Sequence, residues 1–596
     1  MWVVPCWNRR VARAACVALS IAVNDGCDGS ITAGGDGANT SFDRAADATR
    51  AEDMAHGGAG TPAAGDDDDD AMNGAGPGAE ADADAPAPAT RAARLTHAQW
   101  ENSVRDLLHL DASFSFADGL RSDPVQSGFL FDDNGATLQV DEALWSGYQR
   151  AAADVAAYVT SDAAHLAKLA PAGGSDAERS ARLIDELGLR AHRRPLRAEE
   201  KSEYAALFAM GPTLYTGMSA FDAGARALIE AVLQSPYFVY RIEESSEVAG
   251  DRIALDSYEI AARLSYALWN TMPDDALFDA AAGDRLRDPN EVAAQARRML
   301  GDPRAEAVVL DYHAQLFQAD RFAKVAPASA FYPNAPAGLG LLAATEHAEF
   351  VRDLVFAEDG GYGDMLTSTS TFVNADLAEV YGVSGVSGSS FVKVALDPAQ
   401  RRGIFTQIGF LAVNATSVDP DPIHRGVFLA RRIACMQIAA PPANVPPLPA
   451  AQGRTNRETV AAHTEKEGTV CASCHAGTIN PLGFPFEHYD AIGAYRTLDN
   501  GHPVDSASEP LIGGERTEVA DALGLATALA QSRDVHRCYV RHWLEFAYGR
   551  PAQPEDDAII ARLGDASLAG ALSIEDLVVG LVTSPAFAQR SAEELP

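Results

Sequence analysis

Positive charge is scarce in this chain. Lys and Arg together number 47 against 83 Asp and Glu in 596 residues, a formal net charge of -36 at pH 7. That balance argues against nucleic acid as a partner, because phosphate binding needs clustered Lys and Arg to release counterions. Long apolar runs are also missing, with no stretch of about eighteen such residues from which to build a hydrophobic spanning helix. Strand-like alternation of apolar and polar residues is rare. There is no glycine-rich phosphate loop, no Gly-x-Ser-x-Gly elbow, no kinase signature and no His-Glu-x-x-His helix, so the common nucleotide, hydrolase and zinc-protease sites are not expected.

What is present is enough apolar material, 47 % of residues, to bury several cores. At roughly 150 residues per domain the length predicts about four of them. Arg9, Arg10 and Arg13 followed by the apolar run Ala14 to Val23 read as an export signal over 1–27, and Cys27 is its candidate lipid anchor. A lipid there is the one route to a membrane that the sequence offers, and Asn24 stands where a lipidation signal wants an aliphatic residue. Residues 28–90 carry fourteen acidic side chains against two Arg and almost no bulky apolar ones. Such a segment cannot offset its own ordering entropy and is expected to be a disordered acidic linker, with Asp66 to Asp70 as a solvated run.

From Arg91 onward the punctuation is helical. Thr96 and Gln99 are spaced as a capping box ahead of Trp100, Val104, Leu107 and Leu108, and the period continues through Leu144, Tyr148, Ala152 and Val155. Ala181 to Leu207, with Pro195 opening a new element, and Ala220 to Tyr240, interrupted at Ser235-Pro236, repeat it, as does Leu264 to Leu268 before the break at Pro273. Glu346, His347 and Glu349 lack the spacing that brings two imidazoles to one helical face, so they read as exposed helix. Asp419-Pro420-Asp421-Pro422 ahead of His424 reads as a turn.

The chemistry is concentrated in Cys471-Ala472-Ser473-Cys474-His475. A Cys-x-x-Cys-His pentad supplies two thiols for thioether bonds to the haem vinyl groups, and the histidine that follows ligates the iron. Export agrees with covalent haem. The competing reading is a structural zinc held by Cys435, Cys471, Cys474 and Cys538, but structural pairs are usually matched by a second close pair, and Cys435 and Cys538 stand far apart. Those two are instead a candidate disulfide, with a pair of buried free thiols as the alternative. Cys435 falls in the helical run Val427 to Ile438, and Cys538 in a helix with Asp534 as its expected N-cap and Gly549 as its stop.

Beyond the pentad, a series of blocks resembles the planctomycete-type cytochrome c multidomain proteins. They are Leu95 to Trp100 with Val104 to Leu108, His192 to Leu196, Ser235 to Arg241, Leu264 to Trp269, Phe372 to Asn374, His424 to Gly426, Asn480 to Phe484 and Tyr548 to Arg550. The resemblance spans about 90–590, and it departs from the family pattern in having Asn480 where Asp is usual and in showing no second pentad. It implies one covalent haem c, placement in the periplasm or at the cell surface, and a mainly α, multidomain architecture. The expected parts are helical domains over 91–170, 175–245 and 250–385, a cytochrome-c-like segment over 396–500, and a C-terminal helical domain over 515–592.

The distal iron position decides what such a haem can do. No methionine follows His475, so the candidates are His488 and Met436, with His502, His536 and His542 behind them, or an open position. Arg496 could pair with a haem propionate, but a plain surface ion pair is the favoured reading. The expected function is an exported electron-transfer or redox protein whose partner the sequence does not name. Its alternatives are a surface enzyme acting on polymers, with haem as the electron outlet, and a scaffold with structural zinc.

Overall fold

The computed structural model describes residues 91–592 apart from 112–114, 125, 127, 250–251, 442–447 and 449–452. The expected export signal, Cys27 and the acidic linker lie outside the described residues. The chain is mainly helical with a few short strands. It opens on β1 (Ala92–Arg94) and α1 (His97–Leu108), which starts at Thr96 with both reciprocal bonds of a capping box to Gln99 in place. Then come α2 (Glu142–Ser161), α3 (Asp176–His192), α4 (Ala198–Leu214) and α5 (Ala220–Leu233). Ala181 to Leu207 is therefore two helices, parted where Arg193 adopts a left-handed conformation (φ 56°) just before Pro195. The α4 and α5 backbones touch, since a Cβ on Gly211 would lie 2.4 Å from the Gly224 nitrogen.

β2 (Tyr240–Ile242) returns to pair antiparallel with β1, Ala93 facing Arg241, and so ties the start of the described chain to the end of its first helical layer. β3 (Arg252–Ala254) leads into α6 (Ser257–Trp269), α7 (Pro303–Phe317) and α8 (Leu339–Arg352). The hairpin β4 (Ser370–Val373) and β5 (Val392–Ala395) follows. After α9 (Pro422–Phe428) come the short helices α10 (Val470–Cys474) and α11 (Asn480–Gly483). The last helices are α12 (Arg533–Tyr548), α13 (Asp557–Leu568) and α14 (Ile574–Val582), and β6 (Gln589–Ser591) closes the chain by pairing with β3.

Burial follows three clusters rather than one per segment. The first joins Leu95, Trp100, Tyr148, Val155, Leu228 and Phe238 but also takes Tyr266 and Met272 from the next segment. The largest runs from Phe129 and Phe131 through Tyr312, Phe405 and Phe428 to Trp543 and Val582. A smaller one, with Phe322, Leu377 and Ile408, lies around the β4–β5 hairpin.

The sequence blocks behind the family resemblance are joints between these elements. Arg193 is buried and donates to the carbonyls of Tyr237, Phe238 and Tyr240 and to the Tyr266 hydroxyl, while His192 stacks on Tyr237 at 4.6 Å between ring centres. Asn374 caps the helix after β4 by accepting from the Leu377 amide. Gly549 ends α12 in a left-handed turn, and its carbonyl accepts from the Gly135 amide at 3.1 Å.

Candidate haem-attachment site

Cys471 and Cys474 lie on α10, a single turn begun by Thr469, whose hydroxyl accepts from the Ala472 amide at 3.3 Å. Three residues apart on a helix they share one face, and His475 follows as the chain widens into a π-helical turn over His475–Ile479. Both thiols are free and partly exposed. Val470 beside them is 74 % exposed.

The orientation of His475 is set from behind. Its Nδ1 lies 3.1 Å from the Asn480 Oδ1. Asn480 is fully buried, and its Nδ2 donates to the Thr464 hydroxyl at 2.9 Å and the Glu465 Oε1 at 2.8 Å. Thr464 already gives its hydroxyl proton to the Val460 carbonyl, so it can only accept from Asn480. The amide is therefore fixed with its oxygen towards His475. That places the imidazole proton on Nδ1 and leaves the Nε2 lone pair, which makes no hydrogen bond, free for a metal. Two thiols and a bare imidazole nitrogen with a buried hydrogen-bond partner behind it fit a covalent haem.

α11 is pressed against α9 backbone to backbone. A Cβ on Gly426 would lie 2.0 Å from the Ile479 carbonyl oxygen, and one on Gly483 would lie 1.8 Å from that of Pro422. Arg425, fully buried, donates to the carbonyls of Leu411 at 2.8 Å and Phe486 at 3.1 Å, and so fastens the chain that follows α11. α9 itself is capped by Asp421, whose carboxylate accepts from the Ile423 and His424 amides and meets the His424 ring. The turn expected at Asp419 to Pro422 is a helix cap as well.

The structure gives partners to most of the weighed side chains. Arg496 takes the ion-pair role, donating to Glu487 at 3.2 Å and Asp499 at 2.7 Å. Glu487 is buried with it, and burial pushes its carboxyl up to about 7 against the pull of Arg496 and Arg425. Met436 packs against the largest hydrophobic cluster. His536 uses both ring nitrogens, on Ser567 and the Ala530 carbonyl, and His542 uses both, on Glu545 and around the Arg432 carbonyl. His502 is bonded to the Gly453 carbonyl. His488 stacks on Tyr495 and sets its Nδ1 on the Arg496 carbonyl at 2.9 Å, leaving Nε2 without a hydrogen bond.

Cys435 and Cys538 form a disulfide, with their Cα atoms 5.6 Å apart. Cys435 lies just past the helical run, not within it, in a left-handed conformation (φ 50°) after a π-helical turn over Leu429–Ile433. The N-cap of α12 is Ser532 and not Asp534, which falls in the first turn. Among the described residues the metal-ligand-type side chains that converge are Cys435, Cys538 and His542. Cys471 and Cys474 stay outside that group, so the four-thiolate tetrahedron is not assembled.

Glu346 and His347, expected on an exposed face, are buried at 0 % and 5 % exposure. The Glu346 Oε1 accepts from the Thr371 and Tyr381 hydroxyls, its Oε2 has no partner, and burial raises its carboxyl to about 7. Spacing could not reveal this, because the hydroxyls that receive Glu346 come from β4 and the helix after it.

Five family models match successive segments, each described as a protein of unknown function: DUF1587 over 93–161, DUF1595 over 180–243, DUF1592 over 255–383, DUF1588 over 401–499 and DUF1585 over 515–587. They are the planctomycete cytochrome-c-associated domains, and their order along one chain supports that family. No curated protein and no solved structure matches the chain.

Proposed function

We propose that this chain, built from five cytochrome-c-associated domains, is an exported redox protein that carries one covalent haem c and passes electrons to or from a partner protein. The observation that carries the reading is His475 held by buried Asn480, with its Nε2 bare and two free thiols one helical turn before it. Cys471 and Cys474 would hold the ring through thioether bonds, and His475 would ligate the iron. Haem, when bound, supplies a one-electron iron couple. Asn480 keeps the imidazole proton on Nδ1 and the ring at a fixed rotation, which tunes how strongly Nε2 donates.

For the distal side we favour His488 or an open position over Met436, whose partly buried side chain packs against the largest hydrophobic cluster. For the alternative of a catalytic site acting on polymers the structure offers an open hollow of about 360 Å³ among Asp359, Asp364, His536 and Asp576, while the cavity among His192, Arg194, Tyr237 and Glu259 holds about 50 Å³; neither contains the paired thiols and bare imidazole on which the haem reading rests. Among the described residues no helix is long and apolar enough to cross a membrane. Cys27, outside the described residues, is the proposed lipid anchor.

The test is covalent haem itself. The parent chain, expressed with export and haem-attachment machinery, should stain for haem on a denaturing gel, and Cys471→Ala/Cys474→Ala should not. Retention of covalent haem in the double variant would overturn the assignment.

A further inference from the structure

A second donor set lies apart from the pentad, where the Leu429–Ile433 turn meets α12. Cys538 and His542 are four residues apart on α12 and share a face, both buried. The His542 Nε2 lies 3.3 Å from the Cys538 Sγ, 3.6 Å from the Cys435 Sγ and 3.0 Å from the Arg432 carbonyl oxygen. That carbonyl is exposed to the imidazole because the π-helical turn sends the following amides elsewhere, Ala434 to Leu429 and Met436 to Ala430. Behind the ring, Nδ1 faces the Glu545 carboxylate at 3.2 Å; because a carbonyl only accepts, the Nε2 proton is directed at the Arg432 oxygen, and a metal ion taking Nε2 would shift that proton to Nδ1, where Glu545 accepts it. Two sulfurs, one nitrogen and one carbonyl oxygen thus converge with at most one proton among them.

We propose that this disulfide is the oxidised form of a site for a soft d10 metal ion, Zn2+ being the type case, held by Cys435, Cys538 and His542 with the Arg432 carbonyl or a solvent molecule as the fourth ligand. The sulfur-to-nitrogen distances are already those of such a site. Bonds of about 2.3 Å to sulfur and 2.0–2.1 Å to nitrogen in a tetrahedron put the two ligand atoms about 3.5 Å apart. Only the sulfurs must separate, to about 3.8 Å by the same geometry. Cys435 is the partner placed to move, being the more exposed of the two and lying beyond the end of its helical run.

The chemistry balances with a dithiol as reductant. Its two thiols give two electrons and two protons to the Cys435–Cys538 bond, which breaks as a disulfide forms in the reductant. Binding Zn2+ then releases the two thiol protons. The site uses neither Cys471 nor Cys474, so it stands or falls independently of the haem assignment.

The experiment takes the full chain with whatever cofactor it carries, reduces it anaerobically with dithiothreitol, removes the reductant and titrates Zn2+. Expected are zinc K-edge absorption showing two sulfurs at about 2.3 Å with nitrogen or oxygen making up the rest, and alkylation of Cys435 and Cys538 slowed at least tenfold by Zn2+ in peptide maps. His542→Ala should weaken binding at least 100-fold, and Glu545→Gln by about 10- to 100-fold through its hold on Nδ1. Cys435→Ser/Cys538→Ser should not show the two-sulfur site. If reduction unfolds the chain, recovery of its helical circular dichroism on adding Zn2+ supports the site and failure to recover overturns it. Equal alkylation rates with and without Zn2+, or a disulfide that dithiothreitol cannot reduce in the folded chain, also overturn it.

Discussion

Glu346 and its neighbours make a testable point about single residues. Burial raises the Glu346 carboxyl to about 7 from an ordinary 4.5, because ionisation would leave a charge whose Oε2 has no partner. For an acid with a raised folded pKa, stability is fully present below the unfolded value and falls as pH climbs from about 4.5 through 7. The loss amounts to about 3 kcal/mol by the linkage relation. Glu346→Gln keeps the shape and removes the charge. It should therefore melt higher than the parent at pH 8 and level with it at pH 5. The comparison is between two chains at each pH, which cancels the buried His313 and His347, whose imidazoles burial pushes down to about 3 and about 4 and which act in the opposite direction. Equal melting temperatures at pH 8 would mean that the carboxyl is stabilised in its ionised form.

At the scale of elements, the haem-attachment segment depends on how closely α9 and α11 approach. Gly483 of α11 meets the Pro422 carbonyl of α9, Gly426 of α9 meets the Ile479 carbonyl in the turn just before α11, and a side chain at either glycine would collide with backbone. Gly426→Ala should consequently cost about 1–3 kcal/mol or more, since backbone cannot yield as a flexible side chain can. A lowered midpoint in urea with an unchanged slope would show it. Because Asn480 begins α11, the same change should also disturb the hydrogen bond to His475 and shift the spectrum of attached haem. An unchanged midpoint would mean that α9 and α11 are further apart than the structure places them. The sequence carried both glycines inside its family blocks, His424-Arg425-Gly426 and Asn480-Pro481-Leu482-Gly483, without showing that each exists for the other.

Across the whole molecule, five family segments share three cores. The N-terminal cluster is completed by Tyr266 and Met272 from beyond residue 245. The Tyr266 hydroxyl bonds to Ser103 at 2.7 Å and to Arg193, and Thr271 donates to Asp106 at 2.7 Å. At the other end, β6 returns to β3, and Arg263 holds the Phe587 and Gln589 carbonyls. A fragment of residues 91–245 should accordingly be far less stable than its family match suggests. Backbone amides of α2 should exchange at least about 100-fold faster in that fragment than in residues 91–592, which corresponds to roughly 3 kcal/mol of lost support. Matching exchange rates would make the first two segments an autonomous unit.

What the sequence determined by itself was local: helical periods, the Thr96–Gln99 cap, the glycine stop of α12, and a pentad whose meaning lies in covalent spacing. These follow from contacts within a few residues, which composition and order specify directly. Tertiary structure alone decided that Glu346 is buried and that Asn480 turns its oxygen to His475, and it chose between readings the sequence left open, the disulfide over free thiols at Cys435 and Cys538 and the ion pair over a propionate contact at Arg496. Each of these depends on chain brought from a distant element, by burial that is non-directional and so leaves no periodic trace in the sequence.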